Sequence, residues 1–560
     1  MDKGEYQVKF SEMPYQRVTW EEIEPRIKEY CQRFEQTESG KAQYEVYKEA
    51  SQYMDECETQ ITLASIRHGI HMDDPFYEAE QDYYDEIWPL VSNAQQQLKK
   101  LVVNSQWREL FVEKLGRMAL ANMDMEMKAY DEKIIGLMQE ENALSSRYDK
   151  LIAGIKIDWN GEELNLSLLR KHMMSQEREE RRLACRKMGE ALGAVGNELD
   201  EIYDLMVKNR TEQARQLGYE NYVPLGYLRM QRSCYDQKQV ESFRRQVKKF
   251  LVPLAEKMHE ERRKKLGLEK LYFCDELVHL PQGDPRPIGT PEEILANGRK
   301  MYHELSPETA EFIDFMMDNE LFDVLGRKNK MAGGYMTFLP KYRAPFVFAN
   351  FNGTSGDTDV LTHECGHAFQ GYLNRNAEIA ERRALTMETA EIHSMSMEFF
   401  TERWMELFYG DRASEYRRVH LEEAIYFIPY GCMVDEFQHI VYSNPDMTPA
   451  ERRAVWSMLE HEYKPHLDYE RDPFFEKGGY WQRQGHIFSS PFYYIDYCLA
   501  QTCALAFKVK MDQNFEEAWK QYLALCSAGG ADFAESLVYG ELPSPFAEGT
   551  MEKIVEGLHL

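Results

Sequence analysis

The feature that most constrains this chain is how far its helical periodicity extends. Residues 117–151 and 168–215 are rich in Glu, Lys, Leu, Met and Ala, with apolar side chains three and four positions apart. Helices of that length must bury their apolar stripes against one another, so a mainly α fold is expected. The charge-dense pieces 177–187 and 260–270 mix both signs at helical spacing, which marks solvated helix faces rather than binding patches. Two helix starts are well marked. Thr290-Pro291 and Thr448-Pro449 each place a capping Thr before a first-turn Pro, with Glu293 and Glu451 three residues after the Thr. Strands are few. Residues 155–159 and 162–166 flank Asn160-Gly161, a two-residue hairpin signal, and residues 335–338 and 345–351 flank a turn at Pro340. Residues 281–291 hold four prolines and two glycines and read as loop.

At 560 residues the chain is about twice what one hydrophobic core serves, so two lobes are expected. The boundary falls near residue 200, giving an N-terminal helical lobe at 1–200 and a second lobe at 201–560. The 67 basic and 95 acidic residues leave a net charge of −28, which argues against nucleic acid and anionic membranes as partners. The first residues are charged with no apolar segment after them, and no run of 18 apolar residues occurs, so neither a secretory signal nor a membrane span is expected. The ten cysteines are scattered without a Cys-x-x-Cys pair, as in reduced thiols of a cytoplasmic protein.

Chemistry concentrates at His363-Glu364-Cys365-Gly366-His367. Two His at i and i+4 project from one helix face, so both imidazoles can reach one metal. Glu364 lies on the adjacent surface, where it can take a proton from a water held there. A zinc site needs a third protein ligand and an open position. The longer three-His pattern is absent, since Gln370 and Leu373 stand where it requires Gly and His. Glu388, Glu391 and Glu398 offer a carboxylate instead, at i, i+3 and i+10 on nearly one stripe among Met, Ala and Phe. Carboxylates on an apolar helix side are costly unless paired or metal-bound. His393 is two positions from Glu391, points elsewhere on the helix, and reads as structural.

Further on, His486 precedes Tyr493, Tyr494 and Tyr497, and imidazole or phenol donors can stabilise an oxyanion. Residues three apart share a helix face, so Tyr494 and Tyr497 form the expected pair, with Tyr493 beside them.

His363 to His367, then Glu391 followed by Ser394 and Glu398, resembles the active site of the thimet-oligopeptidase family of zinc peptidases. The closer similarity is to its oligoendopeptidase F branch. Residues 214–222, Gly333-Gly334-Tyr335, residues 350–354, Trp481-x-Arg483-x-x-His486 and Pro491-Phe492-Tyr493 extend the resemblance over residues 205–500. His393 and Cys365 depart from the family, which usually has small residues or Pro at the first position and an apolar side chain at the second. The resemblance implies a two-lobed, clam-like, multi-helix molecule with a deep channel and a small β-sheet near the active site. It implies one zinc per chain on His363, His367 and Glu391, with Glu364 as general base; the residues themselves add His486, Tyr494 and Tyr497 as candidate oxyanion donors, and Glu388 or Glu398 as the carboxylate expected to orient a ligating His. The implied activity is hydrolysis of internal bonds in oligopeptides. The segment 345–351 is expected to offer its backbone edge to the substrate, and Gly353 and Gly356 mark either a mobile loop or a plain turn. A zinc exopeptidase and a noncatalytic helical scaffold are the rival readings.

Overall fold

The computed structural model describes residues 8–560. Among the described residues it is mainly helical, with 23 α-helices and two small sheets. Five short strands occur among the described residues: β1 (Ile157–Trp159), β2 (Glu162–Leu164), β3 (Phe322–Leu325), β4 (Tyr335–Leu339) and β5 (Ala344–Phe351). Among the described residues, no helix is long and apolar enough to cross a membrane. None of the ten cysteines is in a disulfide.

The chain divides into two compact units, each discontinuous in sequence. One runs to Asp124 and takes in Pro285–Ala413 and Cys503–Leu542; the other comprises Met125–Asp284, Ser414–Thr502 and Pro543–Leu560. Residue 200 lies inside the helix Arg178–Gln216.

In the first unit, Ile23 and Ile27 sit one turn apart and pack with Met54, Ala64, Ile87 and Val91 from the next two helices. The helix Gly40–Ile70 then lies against the sheet, where a Cβ on Gly69 would fall 3.5 Å from the Phe348 ring and 3.6 Å from the Met331 side chain. That sheet has strand order β3-β5-β4. β4 and β5 are antiparallel, with Met336 opposite Val347, whereas β3 runs parallel to β5. Central position explains why β5 is apolar almost throughout, since both faces and both edges are covered. The outer backbone edges therefore belong to β3 and β4, not to β5. The expectation that segment 345–351 offers its edge to a peptide is corrected on that ground.

β3 carries no sequence signal beyond four residues, and a buried lysine holds it in place. The Lys330 ammonium donates to Asp323 Oδ1 at 2.6 Å, to the Asp323 and Leu325 carbonyls at 3.0 Å, and to the Ala349 carbonyl of β5.

In the second unit, β1 and β2 form the expected hairpin, and Asn160 and Gly161 both take positive φ (55° and 90°) as its tight turn requires. The hairpin packs through Ile157, Trp159 and Leu164 on Leu192 of the long helix and on Phe474 and Phe475. The helix Pro449–Tyr463 begins with the Thr448/Glu451 capping box, and Pro291–Leu305 in the first unit begins with Thr290/Glu293.

Near the end of Pro449–Tyr463, buried Glu460 accepts hydrogen bonds from Trp456 Nε1 at 2.8 Å and Tyr469 Oη at 2.5 Å. Burial nevertheless pushes its carboxyl up to about 7 from 4.5. Below pH 4.5 both folded and unfolded chains hold this proton. Between 4.5 and 7 only the unfolded chain releases it, so folding stability falls as pH rises. Above 7 the loss reaches about 3 kcal/mol. Glu460→Gln keeps the acceptor oxygen and is expected to raise Tm at pH 8 but not at pH 4.5. Equal Tm shifts at both pH values in thermal melts would refute this.

Candidate active site

The helix Gly356–Leu373 carries the His-Glu-x-x-His motif and packs on β4 and β5. Its start is fixed by an ordered turn, in which the Asp357 carboxylate accepts the Asn352 and Gly353 N–H groups, each at 2.8 Å. Gly353 takes φ +78°, and Gly356 is already the first helical residue. The helix Met387–Phe400 lies directly against the motif helix. Gly366 makes the approach possible, since a Cβ there would fall 2.6 Å from Ser394 Cα and 2.7 Å from the His393 carbonyl oxygen. Cys365 is fully buried, as a small apolar residue would be.

Close packing brings three donors together. Glu391 Oε2 lies 3.4 Å from His363 Nε2 and 3.8 Å from His367 Nε2. One ligand atom from each of the three residues falls within 4.8 Å of the others. A tetrahedral zinc with bonds of about 2.0–2.1 Å has ligand–ligand edges of about 3.3 Å, so this donor set fits the ion with little movement. The two imidazole planes are nearly perpendicular, at 83°.

The partners of these groups set their orientation. Glu398 Oε1, 2.6 Å from His363 Nδ1, accepts the Nδ1 proton and orients the ring with Nε2 toward Glu391. Ser394 Oγ donates to Glu391 Oε2 at 3.2 Å. Burial works against a charged His363, but its hydrogen bonds to Glu391 and Glu398 outweigh that and hold its pKa well above the usual range. Burial would likewise raise Glu391, and the two imidazoles overcome it, so its pKa is lowered. His367 is held down at about 4, mainly by burial and then by the charge on His363.

Glu364 is next to this cluster and is partly buried. Burial raises its pKa, the charges of Glu391 and Glu398 push the same way, and His363 and the Met336 N–H oppose them. Because Met336 belongs to β4, a backbone group of the sheet addresses Glu364. Sequence periodicity gave no sign of that contact.

The remaining residues singled out from sequence fall as follows. Glu388 is 2% exposed, and its charge acts on the buried Cys503 thiol. His393 is completely buried, and Tyr522 donates to its backbone carbonyl at 2.7 Å. Its ring nitrogens are not among the ligand atoms that meet at the donor set. In the second unit, the His486 ring lies 4.9 Å from Tyr494, 5.9 Å from Tyr493 and 6.2 Å from Tyr497, centroid to centroid. Tyr497 donates its hydroxyl to Tyr493 at 2.9 Å, so the hydroxyl contact joins residues four apart, while the Tyr494 and Tyr497 rings are 5.8 Å apart.

Gln484 sets the His486 tautomer. With its amide oxygen accepting from Tyr430 Oη at 2.7 Å, its Nε2 donates to His486 Nδ1 at 2.8 Å. Burial lowers the His486 pKa, so the neutral ring carries its proton on Nε2. Gln484 lies within a segment notable in the sequence, yet only side-chain contacts reveal what it does.

The sequence agrees with the models of two known domains: the peptidase M3 N-terminal domain over residues 10–130 and peptidase family M3 over residues 290–542. No curated protein matches. Among solved structures, the chain is similar to one assigned as an oligoendopeptidase F, with 44% identity, TM-score 0.90, and coverage of 99% of this chain and 98% of the other. It is equally similar to PZ peptidase A solved with an inhibitor, at 44% identity, TM-score 0.90 and 98% coverage of both chains. A protein of Bacillus anthracis strain Ames assigned as oligoendopeptidase F shows 40% identity and TM-score 0.86, over 99% of this chain and 97% of the other. With a mainly α fold, a His-Glu-x-x-His helix and these relatives over nearly its whole length, the chain belongs to peptidase family M3 and is an oligoendopeptidase F-like peptidase.

Proposed function

We propose that this peptidase is a zinc-dependent endopeptidase that hydrolyses internal bonds of short peptides, with one zinc per chain. The convergence of His363 Nε2, His367 Nε2 and Glu391 Oε2 beside Glu364 carries the reading. His363, His367 and Glu391 hold the metal, and Glu398 fixes the His363 ring through Nδ1. When bound, zinc supplies Lewis acidity that brings water ionisation toward neutral pH and polarises the scissile carbonyl. Glu364 takes the proton of the attacking water and passes it to the leaving amine. Its raised pKa suits it to hold that proton between the two steps. His486, with its proton on Nε2, and the hydroxyls of Tyr494 and Tyr497 serve as donors to the developing oxyanion. The outer edge of β4 pairs with extended peptide backbone, which gives affinity with little demand on sequence.

A second His-His-Glu group, His259, Glu276 and His466, also brings its ligand atoms within 4.8 Å. Its carboxylate is already neutralised, since Lys464 donates to Glu276 at 2.5 Å and Arg262 lies 3.5 Å away. The two imidazoles are stacked face to face at 3.5 Å, which directs their lone pairs side by side rather than toward one point. Elemental analysis should therefore find one zinc per chain, lost on His363→Ala or His367→Ala and kept on His466→Ala.

Chelation should abolish cleavage of a ten-residue peptide, zinc should restore it, and the products should come from internal bonds while a stable globular protein survives. Activity that resists chelation, or removal of terminal residues only, would overturn the reading.

A further inference from the structure

The second unit holds a cavity of about 400 Å³, within the size range of small-molecule sites. Its walls come from the start of the helix Arg178–Gln216, from Phe273 and Cys274, and from residues 469–475, all within this unit. The deep wall is aromatic. Phe273, Tyr469 and Phe475 are buried, with ring centroids 5.0 to 5.2 Å apart.

The charged groups of the lining divide into those already engaged and those that are not. Arg182 donates to Glu179 at 2.7 Å and lies 3.1 Å from Glu470. Glu470 also accepts from the Cys274 thiol at 3.8 Å. Asp472 accepts the Phe474 and Phe475 N–H groups at 2.9 and 3.0 Å. Every carboxylate of the lining is thus committed to a protein donor. Arg186 and Arg471 are exposed, and neither has a carboxylate within ion-pair distance or a side-chain hydrogen bond among the described residues. Asp468 feels the charge of Arg471 but is itself paired with Lys270 at 2.5 Å. What remains for a ligand is a pair of guanidinium groups, in a chain of net charge −28.

An exposed arginine alone would carry no argument, but Arg471 is held at a conformational cost. Glu470 and Arg471 take φ of 52° and 64°, two successive left-handed residues with no glycine between them. The Asp468 side chain, which accepts the Glu470 N–H at 2.8 Å, and the ion pair with Arg182 impose that turn. Strain of this kind persists only where the surroundings over-determine it, and ligand clamps are among the places where it gathers. Gly189, one turn beyond Arg186, brings the same segment close to the helix, since a Cβ there would collide with the Asp472 carboxylate.

We propose that this cavity binds a small aromatic oxyanion, a carboxylate or a phosphate monoester, with its charge on Arg186 and Arg471 and its ring against Phe273, Tyr469 and Phe475. Guanidinium groups hold both kinds of oxyanion through paired N–H donors, and buried rings favour an aromatic body over a fully hydrated ion. The site is complete within this unit and does not rest on the peptidase reading.

The test titrates four probes calorimetrically into the zinc-loaded full chain: benzoate, phenyl phosphate, benzamide and inorganic phosphate. Benzamide keeps the ring and shape of benzoate without its charge, and inorganic phosphate keeps the charge without the ring. Benzoate is expected to bind about 10- to 100-fold more tightly than benzamide, as charge-assisted hydrogen bonds allow. Phenyl phosphate should likewise bind more tightly than inorganic phosphate. Arg186→Gln and Arg471→Gln should each remove most of these preferences, and Lys at either position, which keeps the charge but not the fork, should retain part. Whichever of benzoate and phenyl phosphate binds more tightly identifies the class of oxyanion, and equal affinities support the chemistry they share.

The proposal is overturned if neither aromatic anion binds saturably, if benzamide equals benzoate, if inorganic phosphate equals phenyl phosphate, or if both glutamine variants bind as the parent does. Anions that had gone to the zinc instead would survive both arginine variants and be lost on His363→Ala, which also overturns it. Both arginines are exposed, so neither variant removes a buried contact, and thermal melts without ligand check that the fold is intact.

Discussion

Glu364→Gln is expected to retain a full complement of zinc and to turn over peptide about 100- to 10,000-fold more slowly than the parent. The amide can still accept the Met336 N–H that the carboxylate accepts now, so the contact between the motif helix and β4 survives. The ligands are also untouched, because His363, His367 and Glu391 reach one another without Glu364. The amide cannot accept the proton of water or deliver it to an amine. The loss should therefore appear in kcat, with KM little changed. Zinc analysis and steady-state kinetics on the same preparation decide it. Residual turnover within tenfold of the parent would remove Glu364 from the role of base, and coincident zinc loss would mean that the substitution had disturbed the ligand helix instead.

The second large effect is expected at a residue that does no chemistry. Gly366→Ala places a methyl group 2.6 Å from Ser394 Cα and 2.7 Å from the His393 carbonyl oxygen. Both obstacles are backbone atoms of the neighbouring helix, so neither can swing aside. The two helices must separate, and overpacking of this kind costs about 1–3 kcal/mol. Because His363 and His367 ride on one helix and Glu391 on the other, separation also widens the distances of 3.4 and 3.8 Å that define the donor set. A lower Tm together with about 10- to 100-fold weaker zinc binding is expected, measured against a competing chelator. That magnitude is comparable to losing an orienting partner of a ligand. A variant with normal Tm and normal zinc affinity would show that the helices have slack the structure does not suggest.

Some of this molecule could be read directly from local sequence. The i, i+4 histidines face one way on any α-helix, and Glu388, Glu391 and Glu398 share one stripe for the same reason. Thr290 and Thr448 cap their helices through contacts three residues long, and Asn160-Gly161 turns its hairpin through its own backbone preferences. In each case the cause and its effect lie within one or two helical turns of the chain, where periodicity and capping chemistry act.

What the sequence could not determine depends on groups far apart along it. β3 is four residues long and pairs in parallel with β5 because Lys330 gathers carbonyls from both, and no pattern within 322–325 announces that. Strand order then decided that β5 is internal and that the outer edges belong to β3 and β4. Gly366 reads as an ordinary variable position of the motif until the backbone of residues 393 and 394 is seen against it. The proton on His486 is set by Gln484, and Gln484 in turn by Tyr430, more than fifty positions earlier. Helical periodicity records which face of an element is buried, whereas the identity of what covers that face is written only in the packing.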